Sequence, residues 1–320
     1  MNLYNLFQLV IITSFMGSVV AGIIILTKAL LKNKLNATWH YYIWFLLVIR
    51  LVIPYAPQTS FSIFNLIPRT SLNSIENYVS PSSTDINSSF KDTFFKDDIQ
   101  KERVSPNREE IDLNRRTVLN NWIGYLHLLW MAGVLAVLIY NLVVYLNLLK
   151  KVNHMPKCTD ANIISILDRC RRRADVKKMP DIICCTESKG PSLMGYFKPK
   201  IIISPEVLSC LSNEDLEHIF LHEMMHIKRK DILANWLMIV VQAVHWFNPI
   251  VWYAFSEMRK DREIICDAWV LARLEPEKRK NYGNTIISLV EILSSTYWRP
   301  GVVGMAKNKT EIKRRITMIK

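Results

Sequence analysis

Three apolar stretches stand out in the first half of the chain. The first, residues 3–27, carries no charged side chain before Lys28, and the third covers residues 122–149. Both exceed the about 20 apolar residues that a membrane-spanning helix needs, so each is predicted to span a membrane. The second, residues 41–56, is shorter and contains Arg50, which must face protein or water or reach the membrane surface. Because no basic residue precedes the first stretch, we expect a membrane span there rather than a cleaved signal peptide.

Basic residues beside these spans predict how the chain is oriented. Lys28 and Lys32 follow the first span, and Lys150 and Lys151 follow the third. Lys and Arg concentrate in the loops on the cytoplasmic side, so both regions are predicted to be cytoplasmic and the amino terminus to lie outside. The polar segment 57–119 is then an external loop.

Composition agrees with a membrane protein. Apolar residues make up 50% of the chain and charged residues 22%, which excludes intrinsic disorder, and the formal net charge is +13. Such a charge suits either a nucleic-acid binder or a membrane protein with basic cytoplasmic segments. The basic residues lie on the predicted inner face, and no Lys/Arg run alternates with aromatic residues. We therefore expect membrane lipid as a partner and no direct contact with nucleic acid.

All six cysteines lie after the third span, and none lies in the predicted external loop. This distribution predicts reduced thiols in a cytoplasmic part of the chain. No C-x-x-C spacing occurs, so a zinc knuckle or a redox pair is unsupported and buried structural thiols are favoured. The six are Cys158, Cys170, Cys184, Cys185, Cys210 and Cys266.

The most specific chemical motif follows a predicted helix start. Ser212, with Asp215 three places later, predicts a capping box, and apolar residues then recur at helical spacing. His222 and His226 are one helical turn apart, so both imidazoles can bind one ion at about 2.0–2.1 Å. Glu223 lies beside the first histidine, where it can accept a proton from an attacking water. The pattern is H-E-x-x-H, which predicts a metalloprotease site. The alternative is two histidines on a charged helix face.

A third ligand must come from elsewhere, because catalytic zinc sites usually have three protein ligands. Glu263 is the candidate, and Asp267 lies one turn later on the same helix face. Asp267 is then expected to accept the outer N–H of a ligand histidine, which fixes its tautomer and raises its basicity. Alone, an E-x-x-x-D pair more often lies on a solvated helix face. Downstream of H-E-x-x-H it predicts a His₂Glu site.

Residues 232–256 separate the two halves of this site and are apolar enough to resemble a fourth span. As one helix they would be about 36 Å long, enough to cross a bilayer. A single crossing would leave Glu263 across the membrane from His222 and His226, which one ion cannot bridge. We therefore expect a bent segment, interrupted by residues such as Pro249, that is embedded in the inner leaflet or packed on the other spans. A true fourth span is the alternative.

Four features together resemble the BlaR/MecR family of membrane metallopeptidases, the antirepressor type of gluzincin. They are the three-span lead-in, the stretch Pro191–Ser204, the run His222–Asp231, and Phe247–Ala254 leading into Arg262–Asp267. With the closing Ile312–Ile316 the resemblance covers nearly the whole chain. It is weakest in residues 57–119.

The resemblance implies an α-helical membrane protein with a cytoplasmic α+β gluzincin metalloprotease domain. It implies that His222, His226 and Glu263 are zinc ligands and that Glu223 is the catalytic base. It also implies an edge strand that holds substrate in extended form, because an unpaired edge can add a strand through main-chain hydrogen bonds. An ordinary core strand is the alternative. The predicted strand residues are Lys200, Ile201, Ile202 and Ile203.

The expected organisation has five parts. They are two spans in 1–56, an external loop in 57–119, the third span in 120–150, the protease domain in 151–283 with its embedded helix 232–256, and a linker with a basic segment in 284–320. Family sensors continue into a further span and a penicillin-binding domain, which we do not expect here. The chain is then either a fragment or a short member that senses something else. Ser88–Lys91 fits S-x-x-K, but it lacks nearby S-D-N and K-T-G partners, so a chance match is expected.

The expected function is zinc-dependent hydrolysis of a peptide bond in signalling of the antibiotic-resistance type. The resemblance suggests self-cleavage in residues 284–305 or cleavage of a cytoplasmic repressor, and a homodimer is possible. Tyr282 and His245 are candidates for stabilising the oxyanion, and either could equally be a packed core residue.

Three other functions are left open. A non-catalytic signalling scaffold with structural zinc would need a fourth ligand, for which Cys266 is the nearby candidate. A protease of the Ste/Htp type would have two spans between H-E-x-x-H and the third ligand, where this chain has room for one. A transporter has Arg50 in its favour.

Overall fold

A computed structural model describes residues 2–31, 36–53, 107–188, 190–296 and 314–317. Within these ranges it describes the side chains of all residues except 107–124 and 293–296. The chain divides into two units, Met1–Pro54 with His127–Lys320, and Tyr55–Leu126. Of the second unit, the described part is the beginning of the fourth helix. Most of the predicted external loop, including Ser88–Lys91, lies outside the described residues, as does Lys32.

Within the described residues, two helices have the length and apolar composition to cross a membrane. They are α1 (Leu3–Leu30) and the Tyr125–Asn153 part of α4 (Asn107–Asn153). Large apolar side chains cover their outer surfaces; Phe15 and Tyr140 are each 69% exposed. The predicted second span consists of two short helices, α2 (Ala37–Tyr42) and α3 (Trp44–Val52). Together they fall short of the about 20 residues of a typical spanning helix.

Arg50 lies in the last turn of α3, where its guanidinium makes two contacts. Its Nη1 donates to the carbonyl oxygen of Ile53 at 3.2 Å, and its Nη2 contacts the sulfur of Met16. Basic side chains commonly satisfy the free carbonyls at a helix end. The residue that favoured a transporter is therefore explained by local helix capping.

The second half of the chain is mostly helical and carries one small sheet. Its elements are α5 (Ala161–Ala174), β1 (Asp181–Cys184), β2 (Ser192–Met194), β3 (Lys200–Ile203), α6 (Pro205–Cys210), α7 (Asn213–Lys228), α8 (Asp231–Val244), α9 (Pro249–Leu271), a 3₁₀ turn (Pro276–Lys278) and α10 (Arg279–Thr296). Residues 314–317 form one further helical turn.

The sheet has the order β1-β3-β2, with β1 parallel and β2 antiparallel to β3. Lys200–Ile203 is thus the central strand, and the prediction that it is the substrate edge strand is wrong. The physical reason is that Ile201, Ile202 and Ile203 are buried in succession, which suits a strand covered on both faces. In the described chain the edge next to the candidate site is β2, from the same Pro191–Ser204 stretch.

The H-E-x-x-H segment forms α7, and its predicted start is confirmed. The Ser212 hydroxyl accepts the Asp215 N–H at 3.2 Å, and the Asp215 carboxylate accepts the Ser212 N–H at 3.3 Å, which completes a capping box. The apolar face of α7 packs into a core with α5, the sheet and α9. Buried members of this core include Ile166, Leu167, Ile201, Phe220, Leu221, Met224 and Cys266.

The apolar run 232–256 is bent, as expected. Helix α8 ends at Val244 and α9 begins at Pro249, which suits a first helical position because it has no N–H to satisfy. The Asn248 side chain caps α9 and donates to the Ser14 hydroxyl of α1 at 2.8 Å. The run is therefore two helices joined by a turn that is fixed to α1. Its position in the inner leaflet stays a prediction.

Candidate metal centre

Helices α7 and α9 pack together and bring the two halves of the predicted site into contact. The Nε2 atoms of His222 and His226 are 3.1 Å apart, and Glu263 Oε2 lies 3.5 Å from the first and 3.7 Å from the second. Ligand atoms at about 2.0–2.1 Å from a tetrahedral ion are about 3.3 Å from one another. These three side chains therefore have the spacing of three ligands on one zinc-sized ion.

The outer nitrogen of His222 faces a buried carboxylate, as the sequence predicted. Its Nδ1 is 3.1 Å from Asp267 Oδ1 and 3.0 Å from the hydroxyl of Tyr282, which itself donates to Asp267 at 2.5 Å. A proton on Nδ1 leaves the Nε2 lone pair free for a metal. The Tyr282 hydroxyl, a predicted oxyanion donor, is thus engaged by Asp267.

His226 has an equivalent partner that sequence reasoning missed. Its Nδ1 lies 2.7 Å from Asp231 Oδ2, and Asp231 is buried. The two residues are five positions apart and meet because Lys230, between α7 and α8, has a left-handed backbone with φ of 58°. An acidic residue directly after a helix break was the signal available in the sequence.

The two imidazoles and the carboxylate form a cluster of opposite charges. Burial alone lowers the pKa of His222 and His226, but Cys266 and nearby carboxylates outweigh it and raise the pKa well above its usual range. Burial alone raises the pKa of Glu263, and the imidazoles reverse this and hold it well below its usual range. A metal would therefore compete with protons for these imidazoles.

Glu223 is buried beside the cluster and lines a cleft of about 720 Å³ that also contains both imidazoles and Glu263. Strand β2 forms one wall of the cleft, together with Pro191 and Gly195. Apolar side chains of α4, α8 and α10 supply much of the remaining lining. They include Val144, Leu148, Ile232, Trp236, Ile239, Ile286 and Leu289.

Two other histidines are not part of this cluster. His218 lies one turn before His222, but its Nδ1 is 2.8 Å from the hydroxyl of Thr285, which donates to Asp215 at 2.6 Å. Burial lowers the pKa of His218. His245, a predicted oxyanion candidate, is buried at the end of α8 and is absent from the described lining of the cleft.

Cys266 is a second neighbour of the imidazoles. Its Sγ and one ligand nitrogen of each imidazole all lie within 4.8 Å of one another, and the thiol donates to the His222 carbonyl at 3.4 Å. Cys266 is fully buried and is absent from the described lining of the cleft, whereas Glu263 lines it. Glu263 is therefore the better candidate for a ligand that a substrate can approach. All six cysteines are free thiols in the structure.

Comparison with known proteins assigns the family. Residues 8–319 match the family described as BlaR1 peptidase M56. The chain belongs to the BlaR1 peptidase M56 family. The match contains both α7 and α9, so it covers every residue of the candidate centre. The resemblance seen in the sequence is confirmed, and membership in this family indicates a metallopeptidase.

Several curated proteins that this chain resembles are regulatory and resistance proteins. The regulatory protein BlaR1 of Bacillus licheniformis is 25% identical over 315 residues, which is 97% of this chain and 50% of the relative. The regulatory protein BlaR1 of Staphylococcus aureus is 25% identical over 302 residues, 92% of this chain and 47% of the relative. The methicillin resistance mecR1 protein of Staphylococcus aureus is 27% identical over 143 residues, 45% of this chain and 24% of the relative. The chain thus spans about half the length of the BlaR1 relatives.

Proposed function

We propose that this member of the M56 family is an integral-membrane zinc endopeptidase that acts in signal transduction. The convergence of His222, His226 and Glu263 beside Glu223 carries the proposal. Two imidazoles and one carboxylate are the donor set of many catalytic zinc sites. When bound, zinc supplies a Lewis acid that polarises the scissile carbonyl and lowers the pKa of water.

The protein's own groups divide the work of catalysis. Glu223 accepts the proton of the attacking water and returns it to the leaving amine, as a general base and then a general acid. His222, His226 and Glu263 would hold the ion. The buried walls around Glu223 limit access of bulk water, which strengthens each electrostatic interaction in the cleft.

Substrate is bound in extended form along β2. This strand pairs on one side with β3, and its residues line the cleft. Main-chain hydrogen bonds to such an edge hold a peptide without regard to sequence, and pockets for alternate side chains supply selectivity. The apolar walls from Trp236, Ile239 and Leu289 favour apolar side chains near the scissile bond.

The cleaved bond belongs to the chain itself or to a cytoplasmic repressor. Residues 284–296 of the predicted self-cleavage region lie in α10, whose side chains form part of the cleft wall. A helix cannot add to a strand edge without unwinding, so we propose residues 297–305 for self-cleavage; they lie outside the described residues. The names of the relatives, a regulatory protein and a methicillin resistance protein, support a role in antibiotic-resistance signalling.

We propose that the amino terminus is outside and that the protease domain is cytoplasmic. Lys28, at the end of α1, pairs with Asp261 of α9, two residues before the candidate third ligand. Val152, at the end of α4, packs on the sheet. Both contacts support a metal centre on the side where the basic ends of α1 and α4 emerge, which is cytoplasmic by the positive-inside rule. Lipid then covers the outward apolar faces, and a homodimer stays a prediction.

The test uses the full chain in membranes, assayed for bound zinc, for chain fragments and for hydrolysis of apolar peptides. Glu223→Gln should retain zinc and lose about 10²–10⁴-fold in rate, since it removes the general base. Glu217→Gln is the matched control, because Glu217 lies on the same helix and pairs with Arg173 at 3.0 Å. Hydrolysis by Glu223→Gln at the wild-type rate would refute the proposal.

Cys266 supports a second candidate function, a non-catalytic signalling scaffold with structural zinc. A thiolate beside two imidazoles and a carboxylate would fill four positions and leave none for substrate. In this case the wild type binds zinc without hydrolysing any peptide. Cobalt substitution separates the two candidates, because a bound thiolate gives a sulfur-to-cobalt charge-transfer band that Cys266→Ser abolishes.

A further inference from the structure

A contact far along the chain holds the carboxylate behind His222. Arg315 donates from Nε to Asp267 Oδ2 at 2.7 Å and from Nη2 to Asp267 Oδ1 at 2.7 Å. These two parallel bonds form the bidentate arrangement that a guanidinium makes with a carboxylate. Asp267 is almost fully buried, with 3% of its side chain exposed, so the pair is shielded from water.

The contact fixes the orientation of Asp267. Its Oδ1 also lies 3.1 Å from His222 Nδ1 and accepts the Tyr282 hydroxyl at 2.5 Å. Arg315 engages both carboxylate oxygens, so rotation of the carboxylate would break both bonds at once. Without Arg315 the buried charge would lose its cationic partner, which is strongly unfavourable.

Each imidazole therefore has an aspartate behind it that is paired with an arginine, but the two arginines come from different parts of the chain. Behind His226, Asp231 lies 3.4 Å from Arg229 Nη2, and all three residues belong to one short stretch of chain. Behind His222, Asp267 is paired with an arginine 48 residues away in sequence, in the turn 314–317. Only this second support depends on the carboxyl-terminal part of the described chain.

We propose that Arg315 is a positioning residue for the metal centre, which orients the His222 imidazole through Asp267. The proposal rests on the proposed function in taking His222 as a metal ligand. Arg315 donates to the carboxylate and acts on the metal through two side chains. The orientation of His222 then depends on α7, α9 and the turn 314–317, and displacement of this turn weakens metal binding.

The neighbouring arginine provides a matched control. Arg314 donates to Asp261 Oδ1 at 2.7 Å and lies 3.6 Å from Glu257, so it fastens the same turn to the same helix α9. It makes no described contact with Asp267 or with a candidate ligand. Loss of Arg314 tests anchoring of the turn, whereas loss of Arg315 tests anchoring together with orientation of His222.

The experiment measures zinc affinity of the full-length chain in detergent by competition with a chromophoric chelator. Arg315→Gln should lower affinity about 10–100-fold, the usual effect of disturbing the hydrogen-bond partner of a ligand, here Asp267, and Arg314→Gln should change it less than about twofold. Arg315→Lys keeps the charge but not the two parallel bonds, so we expect an intermediate loss. The cobalt-substituted spectrum should change for Arg315→Gln and stay that of the wild type for Arg314→Gln.

Three results would overturn the proposal. They are unchanged zinc affinity in Arg315→Gln, equal losses in Arg315→Gln and Arg314→Gln, and additive losses when Arg315→Gln is combined with Asp267→Asn, because residues that act in series do not add. Should Arg315→Gln fail to fold in metal-free buffer, Arg315→Lys decides by the same comparison. A wild type that binds zinc but hydrolyses nothing would end the proposed function and leave this inference standing.

Discussion

The Nε2 atoms of His222 and His226, which face each other and Glu263, can bind either a proton or a metal ion. In the metal-free chain, the raised pKa of His222 and His226 favours protonation, and the lowered pKa of Glu263 keeps its carboxylate charged between them. The opposite charges attract, so the cluster stabilises the fold without a metal as long as the imidazoles keep their protons. Metal binding must displace those protons.

We therefore expect the metal-free chain to lose stability as the pH rises above about 6.5, the usual pKa of histidine. A group whose pKa is raised by folding contributes its full stabilisation below the unfolded pKa and loses it as the pH rises through the folded pKa. Zinc affinity should change in the opposite sense and increase over the same range. The measurements are the unfolding midpoint in chelator and the zinc affinity, each between about pH 6 and 9.

At low pH, Asp267 gives stability the opposite pH dependence. Burial alone would raise the pKa of Asp267, but Arg315 and His222 lower it to about 2, so its stabilisation is lost as the pH falls towards that value.

The control for the histidine prediction is a chain with both His222→Gln and His226→Gln, which should show no loss of stability as the pH rises above about 6.5. A metal-free wild type whose midpoint stays level or increases with pH would contradict the expected protonation.

Individual site residues differ in how far sequence could reveal them. His222, Glu223 and His226 follow from helical spacing, and so does Asp267, one turn after Glu263 on the same face. Asp231 does not, because five residues are no helical repeat and the contact needs the left-handed Lys230. Arg315 gave no signal of its own, since a bond between residues 48 positions apart depends on tertiary packing.

At the scale of elements, β2 links the sheet to the candidate metal centre. The strand is three residues long and is followed by Gly195, whose φ of 80° lies in a region that side chains rarely adopt. A Cβ at this position would lie 2.6 Å from the carbonyl oxygen of Lys198. Glycine is thus required for the turn that directs β2 along the cleft and returns the chain into β3.

Gly195→Ala should therefore cost about 1–3 kcal/mol of stability through backbone strain, and it should raise KM for peptide hydrolysis by shifting β2. Zinc affinity should stay near the wild-type value, because no candidate ligand lies on this turn. Gly22→Ala is the control: it lies in α1 with open space around its Cβ position and should be neutral or stabilising. Unchanged KM in Gly195→Ala would remove β2 from the substrate site. Thermal unfolding and steady-state kinetics measure both effects.

Sequence patterns predicted where single helices and strands form better than they predicted how these elements pack against one another. The capping box of α7 and the interruption at Pro249 are local features, and both are present. The role of Lys200–Ile203 as an edge was wrong, because strand order depends on how distant segments pair. The second span was predicted from apolar composition alone, whereas the structure breaks it at Ile43 between two short helices.

Across the whole molecule, one buried carboxylate joins four segments. Asp261 of α9 accepts Trp44 Nε1 of α3 at 2.6 Å, pairs with Lys28 of α1, and accepts Arg314 Nη2 of the turn 314–317 at 2.7 Å. Its side chain is fully buried. Helix α1, helix α3 and the carboxyl-terminal turn are therefore tied to α9, the helix that carries Glu263.

Asp261→Ala should destabilise the chain by about 3–5 kcal/mol, because it leaves Lys28 and Arg314 without their shared counter-charge. Glu257→Gln is the control: its side chain is 20% exposed and 3.6 Å from Arg314, and it should cost less than about 1 kcal/mol. Unfolding of the full chain in detergent measures both. Zinc affinity should stay near the wild-type value, because Asp261 touches no candidate ligand and the Arg315–Asp267 pair still holds the turn. Equal stability of the two variants would show that the four segments are held together by apolar packing, with Asp261 contributing little.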